Sequence, residues 1–186
     1  PFPRTYDEAL IESAERLPEV DGEGELTNHR IDLRHLPLVT IDPHDAKDFD
    51  DAVCLVEKDG IRTLWVAIAD VAHYVEPDTR LDAAARARAT SVYLPHTVLP
   101  MLPPRLADDL CSLRADVDRL AMVVSMEIGK DDSIVECKAY EAVIRVAENM
   151  AYEDALDNPR FAEMFKLADS WQKNEVRLNI QNAELR

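Results

Sequence analysis

The sequence predicts an α+β fold, a mixed and largely antiparallel sheet with flanking helices, on three observations. Ala52 to Glu57 and Ile61 to Ala69 are apolar segments joined at Asp59-Gly60, a strong hairpin signal. Arg119 to Ile128 and Ser133 to Val146 alternate around Gly129-Lys130-Asp131-Asp132, which implies a second antiparallel hairpin. Helical spacing appears separately, at 7 to 17, 78 to 90 and 160 to 172.

Each element has its own signal. In the first helix Leu10, Ala14 and Leu17 share a stripe, Asp7 and Glu8 suit the first turn, and Pro18 ends it. The acidic stretch EVDGEGELTN at 19 to 28, with Gly22 and Gly24, reads as an exposed connector. Residues 1–29 are therefore a lead-in, and the main domain runs over 30–186. Leu36 to Ile41 reads as a strand entering an acidic segment. DTRLDAAARARAT, at 78 to 90, favours a helix capped by Asp78 or Thr79 and covering the sheet. Phe161, Met164, Phe165, Ala168 and Trp171 mark a core-facing stripe on the last helix.

A chain of 186 residues with 47% hydrophobic content is enough for one cored domain. No apolar run is long enough to span a membrane, and the opening PFPRTYDEAL lacks the pattern of a signal peptide. A cytoplasmic location with no membrane partner is the expectation. Cys54, Cys111 and Cys137 are scattered in or beside apolar stretches, as reduced packed thiols would be, and show no zinc-type spacing. The net charge of -16 argues against a free-standing nucleic-acid binder, unless the acid is gathered where cations neutralise it or the basic surface lies on other segments.

Acid is indeed gathered. Asp42-Pro43-His44-Asp45-Ala46-Lys47-Asp48-Phe49-Asp50-Asp51 holds five carboxylates in ten residues, flanked by LPLVTI and AVCLV. An acidic run in a linker is usually a solvated loop, but this one is anchored between two apolar strands. Hard oxygen ligands in such number suit magnesium or manganese, and magnesium typically combines one or two carboxylates with water and phosphate oxygens. An EF-hand is excluded: counting from Asp48, Val53 stands where glycine is required and Lys58 near the terminal glutamate position. Walker, GxSxG and HExxH patterns are absent.

These residues carry a resemblance. RIDLRHLPLVTIDPHDAKDFDDAV, followed in order by LWVAIADVAHYV, TSVYLPHTVLPMLP, LCSLRADVDRLAM and YEAVIRV, resembles the catalytic (RNB) domain of the ribonuclease II/ribonuclease R family, from about Arg30 to Tyr152. The resemblance implies a 3′-to-5′ exoribonuclease that hydrolyses single-stranded RNA processively to nucleoside 5′-monophosphates, with this chain an incomplete, N-terminal portion of the catalytic domain. The family's D-x5-D-x-D-D motif falls on Asp42, Asp48, Asp50 and Asp51, which it implies as the catalytic, metal-holding set for Mg2+, with Mn2+ as a substitute. Asp50 is expected to orient the nucleophile, and Asp42 and Asp51 to be the main ligands of one ion. Tyr93 falls where the family places an RNA-binding tyrosine that stacks on a base near the 3′ end. Flanking cold-shock-like and S1 modules, a later arginine-rich motif and a glutamate are expected in the full-length protein, since none is recognisable here. The ending NEVRLNIQNAELR reads as an internal strand.

Other residues are expected to be less direct. Asp70 and His73 read as supports behind the metal ligands or as structural, His44 as solvent-facing, and Cys111-Ser112 lacks the adjacent histidine a nucleophile needs. Asp118 and Arg119 suggest a turn or an internal ion pair. Ala107, Asp108 and Asp109 stand where the family is usually less acidic. The rival from another class is a non-catalytic RNB-like module that binds metal or protein. A DEDD-type exonuclease is excluded for want of its early Asp-x-Glu.

Overall fold

The computed structural model describes residues 5–26, 29–94 and 97–174. The expected strand near the C-terminus lies outside the described residues.

A seven-stranded sheet, ordered β1-β8-β7-β4-β3-β2-β9, forms the middle layer. Its antiparallel centre is β3 (Asp51–Lys58), β4 (Ile61–Ala69), β7 (Asp118–Ile128) and β8 (Ile134–Arg145). The β3–β4 turn is the expected one, with Asp59 and Gly60 both at positive φ, the conformation a two-residue hairpin turn requires. Parallel pairs close both edges: β1 (Ile31–Asp32) on β8, and β9 (Glu148–Ala151) on β2 (Val39–Asp42). The sheet is thus mixed and largely antiparallel, as the sequence predicts.

Helices cover both faces. On one face Ala52, Cys54, Ala67, Ala121, Val123 and Ala142 pack with Leu10 and Ala14 of α1 (Glu8–Glu15), Leu81 of α4 (Arg80–Arg88) and a π-helical turn at Leu106–Leu110. The alanines let these elements approach closely. On the other face Leu64, Met126 and Ile128 meet Leu167 of α6 (Ala162–Asn174), while Val39 and Met150 meet Phe161 and Ala155 of α5 (Tyr152–Leu156). Leu167 occupies the buried position; Ala168 is exposed. Trp171 Nε1 donates to the Asp132 carbonyl at 2.6 Å, which pins α6 to the β7–β8 turn.

Several expectations are corrected in detail. Residues 22–26 form a short helix, α2 (Gly22–Leu26), where an open connector was expected. Gly22 is buried, and a Cβ there would run into the Asp118 carboxylate. Thr79, not Asp78, caps α4: its Oγ1 accepts the Asp82 N–H, while Asp78 takes a positive φ in the preceding turn. The strand expected to continue to Val146 ends at Arg145, and the chain then crosses to the far edge of the sheet as β9. Asp118 and Arg119 do not pair as ions with each other: Asp118 receives Arg34 and Arg145, and Arg119 reaches Asp109. Cys54 and Cys111 are buried free thiols, each pushed up to about 12 chiefly by loss of water.

Leu38, fully buried immediately before β2, joins this strand to the larger core. Leu38→Ala is expected to lower stability by about 2 to 5 kcal/mol through lost burial and a residual cavity, read as a drop in denaturant midpoint. An unchanged midpoint would show that β2 is not anchored from this side.

Candidate metal centre

Strands β2 and β3 pair at Val39↔Val53 and then diverge. Asp42 ends β2, Asp51 begins β3, and the loop between them carries Asp48 and Asp50. The acidic segment therefore fills the opening where two strands of one sheet part.

Backbone bonds hold that loop. Ala69 N–H donates to the Asp50 carbonyl at 2.9 Å and Leu113 N–H to the Phe49 carbonyl at 2.8 Å. Ser112 hydroxyl donates to the Lys47 carbonyl at 2.6 Å and accepts the Phe49 N–H at 3.3 Å. Phe49 packs against the larger core between Asp48 and Asp50. An apolar anchor and a serine clasp thus fix an acidic loop that would otherwise splay.

The four motif aspartates act on one another. Loss of water, then repulsion by Asp51 and Asp48, raises the Asp42 carboxyl above the ordinary aspartate value, opposed by a side-chain hydrogen bond from Thr40. Asp50 is raised by desolvation of its carboxyl, then by Asp48, Asp51 and Asp42. Because Asp50 keeps an exposed surface, the repulsion is the part that a cation would relieve. Asp108, on the π-helical turn, is raised by desolvation and by Asp48. One oxygen of Asp42, Oδ2, is buried with no hydrogen-bond partner. An orphaned carboxylate oxygen among mutually repelling acids fits a hard divalent cation. Among the described residues no three His, Cys, Asp or Glu side chains enclose a metal by themselves.

Tyr93 lies beside this cluster. It belongs to a two-stranded hairpin, β5 (Val92–Leu94) with β6 (Thr97–Leu99), and is 63% exposed. Its hydroxyl donates to Asp48 Oδ2 at 2.5 Å, and that bond is the first cause pushing the phenol up to about 12. The ring is left open to solvent, with exposed Val98 directly across the hairpin.

The remaining candidates are structural. Asp70 accepts buried Arg30 at 2.6 Å and caps the short helix α3 (Val71–Tyr74) through the His73 N–H. His44 is exposed. Asp109 gathers Arg105, Arg114 and Arg119, so its charge is neutralised inside the protein. The clasp made by Ser112, and Asn149 with its bonds to Thr40, Leu113 and Ala115, join residues remote in the chain, so no local pattern in the sequence marked these roles.

Comparison with known proteins agrees with this architecture. The RNB domain family matches residues 30–169, and the chain belongs to that family. It is 47% identical over 152 residues to Ribonuclease R of Vibrio parahaemolyticus, covering 81% of this chain and 18% of the relative. Among solved structures, Mycoplasma genitalium RNase R in complex with ribose methylated single-stranded RNA superimposes with a TM-score of 0.78 at 31% identity, covering 96% of this chain and 26% of that one. Yeast Ssd1, a pseudonuclease, shares the fold at 18% identity with a TM-score of 0.73, over 85% of this chain and 20% of its own. The chain thus spans about a fifth of the length of the curated relative. Among the described residues no helix is long and apolar enough to cross a membrane.

The raised carboxyls set a pH dependence. A carboxyl that binds its proton more tightly in the folded than in the unfolded chain makes folding less favourable as pH rises from the ordinary value of 3.8 through the raised one. Without divalent cation at pH 7, Asp50→Asn is therefore expected to melt above the parent, with the gap closing as pH falls below 3.8. Adding Mg2+ should narrow the gap at pH 7 by stabilising the parent. Thermal melts across pH check this, and a variant melting below the parent at pH 7 would contradict it.

Proposed function

We propose that this chain supplies the metal-holding part of a magnesium-dependent 3′-to-5′ exoribonuclease that degrades single-stranded RNA processively to nucleoside 5′-monophosphates. The observation that carries the reading is the buried, unpartnered Oδ2 of Asp42 beside Asp48, Asp50 and Asp51 in an RNB domain. The names of the relatives support the RNase class, and the RNA-bound Mycoplasma genitalium enzyme supports single-stranded RNA as substrate.

Mg2+, with Mn2+ as a substitute, would be held by Asp42, Asp48, Asp50 and Asp51. When bound, such an ion polarises a phosphate oxygen and lowers the pKa of an attacking water. Asp42 and Asp51, which approach from two different strands, would be main ligands of one ion. Asp50, fixed through its backbone to β4 and open to solvent, would orient the attacking water. Tyr93 offers an exposed ring, tethered at its hydroxyl to Asp48, on which a 3′-terminal base stacks. Such stacking contributes about 1 to 3 kcal/mol per base. In the longer protein, cold-shock-like and S1 modules and basic segments would grip the RNA, and the reduced, buried thiols suit the cytoplasm.

In the intact protein, labelled single-stranded RNA should be degraded from its 3′ end with Mg2+ and spared with chelator. Asp50→Asn should slow single-turnover cleavage on the order of a hundredfold or more. A variant within a few-fold of the parent would remove the nucleophile-orienting role, and a parent inactive with Mg2+ would favour a non-catalytic RNB-like module. The isolated chain is expected to be weakly active or inactive.

Tyr93→Ala should change the length of the final product, read from a sequencing gel. An unaltered ladder would argue against a base-stacking role for this ring.

A further inference from the structure

Ser112 is fully buried, and its hydroxyl joins two points of the acidic loop: it donates to the Lys47 carbonyl at 2.6 Å and accepts the Phe49 N–H at 3.3 Å. A hydroxyl sits at the end of a single rotatable bond, so where it holds two such groups depends on the backbone beneath it. That backbone is fixed by bonds that lead to Asp109. The Ser112 N–H donates to the Asp109 carbonyl at 2.9 Å, and the Ser112 carbonyl accepts the Arg114 N–H at 2.8 Å and Arg119 Nε at 2.9 Å. Arg119 closes a ring by donating from Nη2 to Asp109 Oδ1 at 3.2 Å. Asp109 therefore grips both peptide groups of Ser112, one with its own carbonyl and the other through Arg119.

The Asp109 carboxylate is steadied from outside the ring. Oδ1 also accepts Arg114 Nη2 at 2.5 Å, Oδ2 pairs with Arg105, and Arg105 Nη2 reaches Glu19 Oε1 in the lead-in at 2.8 Å. Arg119 itself is buried at the start of β7, where an apolar side chain of similar volume would cost the fold little or nothing. What a guanidinium adds at such a place is direction, since its donors form a rigid fork. Here the fork spans an acid and the carbonyl of the residue that clasps the loop.

We propose that Asp109 and Arg119 are positioning residues for the acidic loop: together they fix Ser112, whose hydroxyl sets the spacing of Lys47 and Phe49 and so the place of Asp48 between them. Asp109, an acid remote from RNA chemistry in its own contacts, thereby acts on the candidate site through one arginine and one serine. The inference rests on the metal-dependent reading above for its consequence in the reaction.

In the intact protein without RNA or metal, amide hydrogen exchange in peptides spanning residues 45–50 reads the clasp directly. Ser112→Ala should accelerate it on the order of tenfold, the effect of losing a buried hydrogen bond. Asp109→Asn keeps the shape and the backbone carbonyl but removes the charge, and Arg119→Lys keeps the charge but loses the fork. Both should accelerate exchange in the same loop while peptides within β4 stay at the parent rate. Added to Ser112→Ala, Asp109→Asn should change loop exchange little further, because both act through one hydroxyl. Mn2+ binding, followed by electron paramagnetic resonance, should weaken roughly tenfold in Asp109→Asn. Parent-like loop exchange in Asp109→Asn would overturn the proposal, as would equal acceleration within β4, which marks general loosening, or full additivity with Ser112→Ala. Parent-like Mn2+ binding in a variant whose loop has loosened would overturn the consequence for the site. A parent that binds no Mn2+ would overturn the metal-dependent reading instead, with loop exchange still deciding whether Asp109 holds the clasp.

Discussion

The candidate site depends on keeping mutually repelling carboxylates close together, and the hydrogen bonds of Ser112 and Leu113 are what keep them there. These two residues take the carbonyls of Lys47 and Phe49 and the N–H of Phe49, so the acidic loop is held by its backbone while its carboxylates stay available. The clasp is itself braced. Arg119, 1% exposed, donates from Nε to the Ser112 carbonyl at 2.9 Å and from Nη2 to Asp109. A buried guanidinium is costly unless its donors are satisfied, and here its partners are the loop that shapes the site and an acid two further arginines also reach. Repulsion in one place is thus balanced by ion pairing and hydrogen bonding about one short loop.

The same distribution of charge explains how a chain of net charge -16 belongs to a family of RNA enzymes. Much of its arginine is engaged inside the fold: Arg30 with Asp70 and Glu25, Arg34 with Asp32, Glu23 and Asp118, and Arg105, Arg114 and Arg119 with Asp109. These cations organise the scaffold and do not build a phosphate-binding face. Five further carboxylates, with a single lysine among them, crowd residues 42–51 at the opening between β2 and β3, where a divalent ion would be a fitting counter-charge.

The sequence revealed those parts of the fold whose causes are local. The β3–β4 hairpin was legible because Asp59-Gly60 dictates the turn and because Ala52, Cys54 and Ala67 alternate with less buried neighbours. The aspartates were legible because they sit within ten consecutive residues. By contrast, β9 was hidden: Val146-Ala147 carries no turn residue, so the alternation of β8 seemed to run on where the chain actually leaves for the opposite edge. Likewise, β1 is two residues long and exists only through its pairing with β8. The supporting residues of the site were illegible for the same reason. Ser112 acts across 63 and 65 residues and Asn149 across 109, and no local pattern encodes such partners.

That last separation also governs when the site comes into being. Asp42 and its acidic neighbours are made early, but the amide that ties β2 to β9 at Thr40 is synthesised 109 residues after that threonine. Contacts so distant in sequence form slowly, because a long loop must close before they contribute. A growing chain therefore carries the whole acidic cluster while lacking both the edge strand and the loop that restrain it. The spatial arrangement of the acidic cluster is in this sense a property of the finished sheet, so assembly order itself delays the site until the surrounding protein is in place.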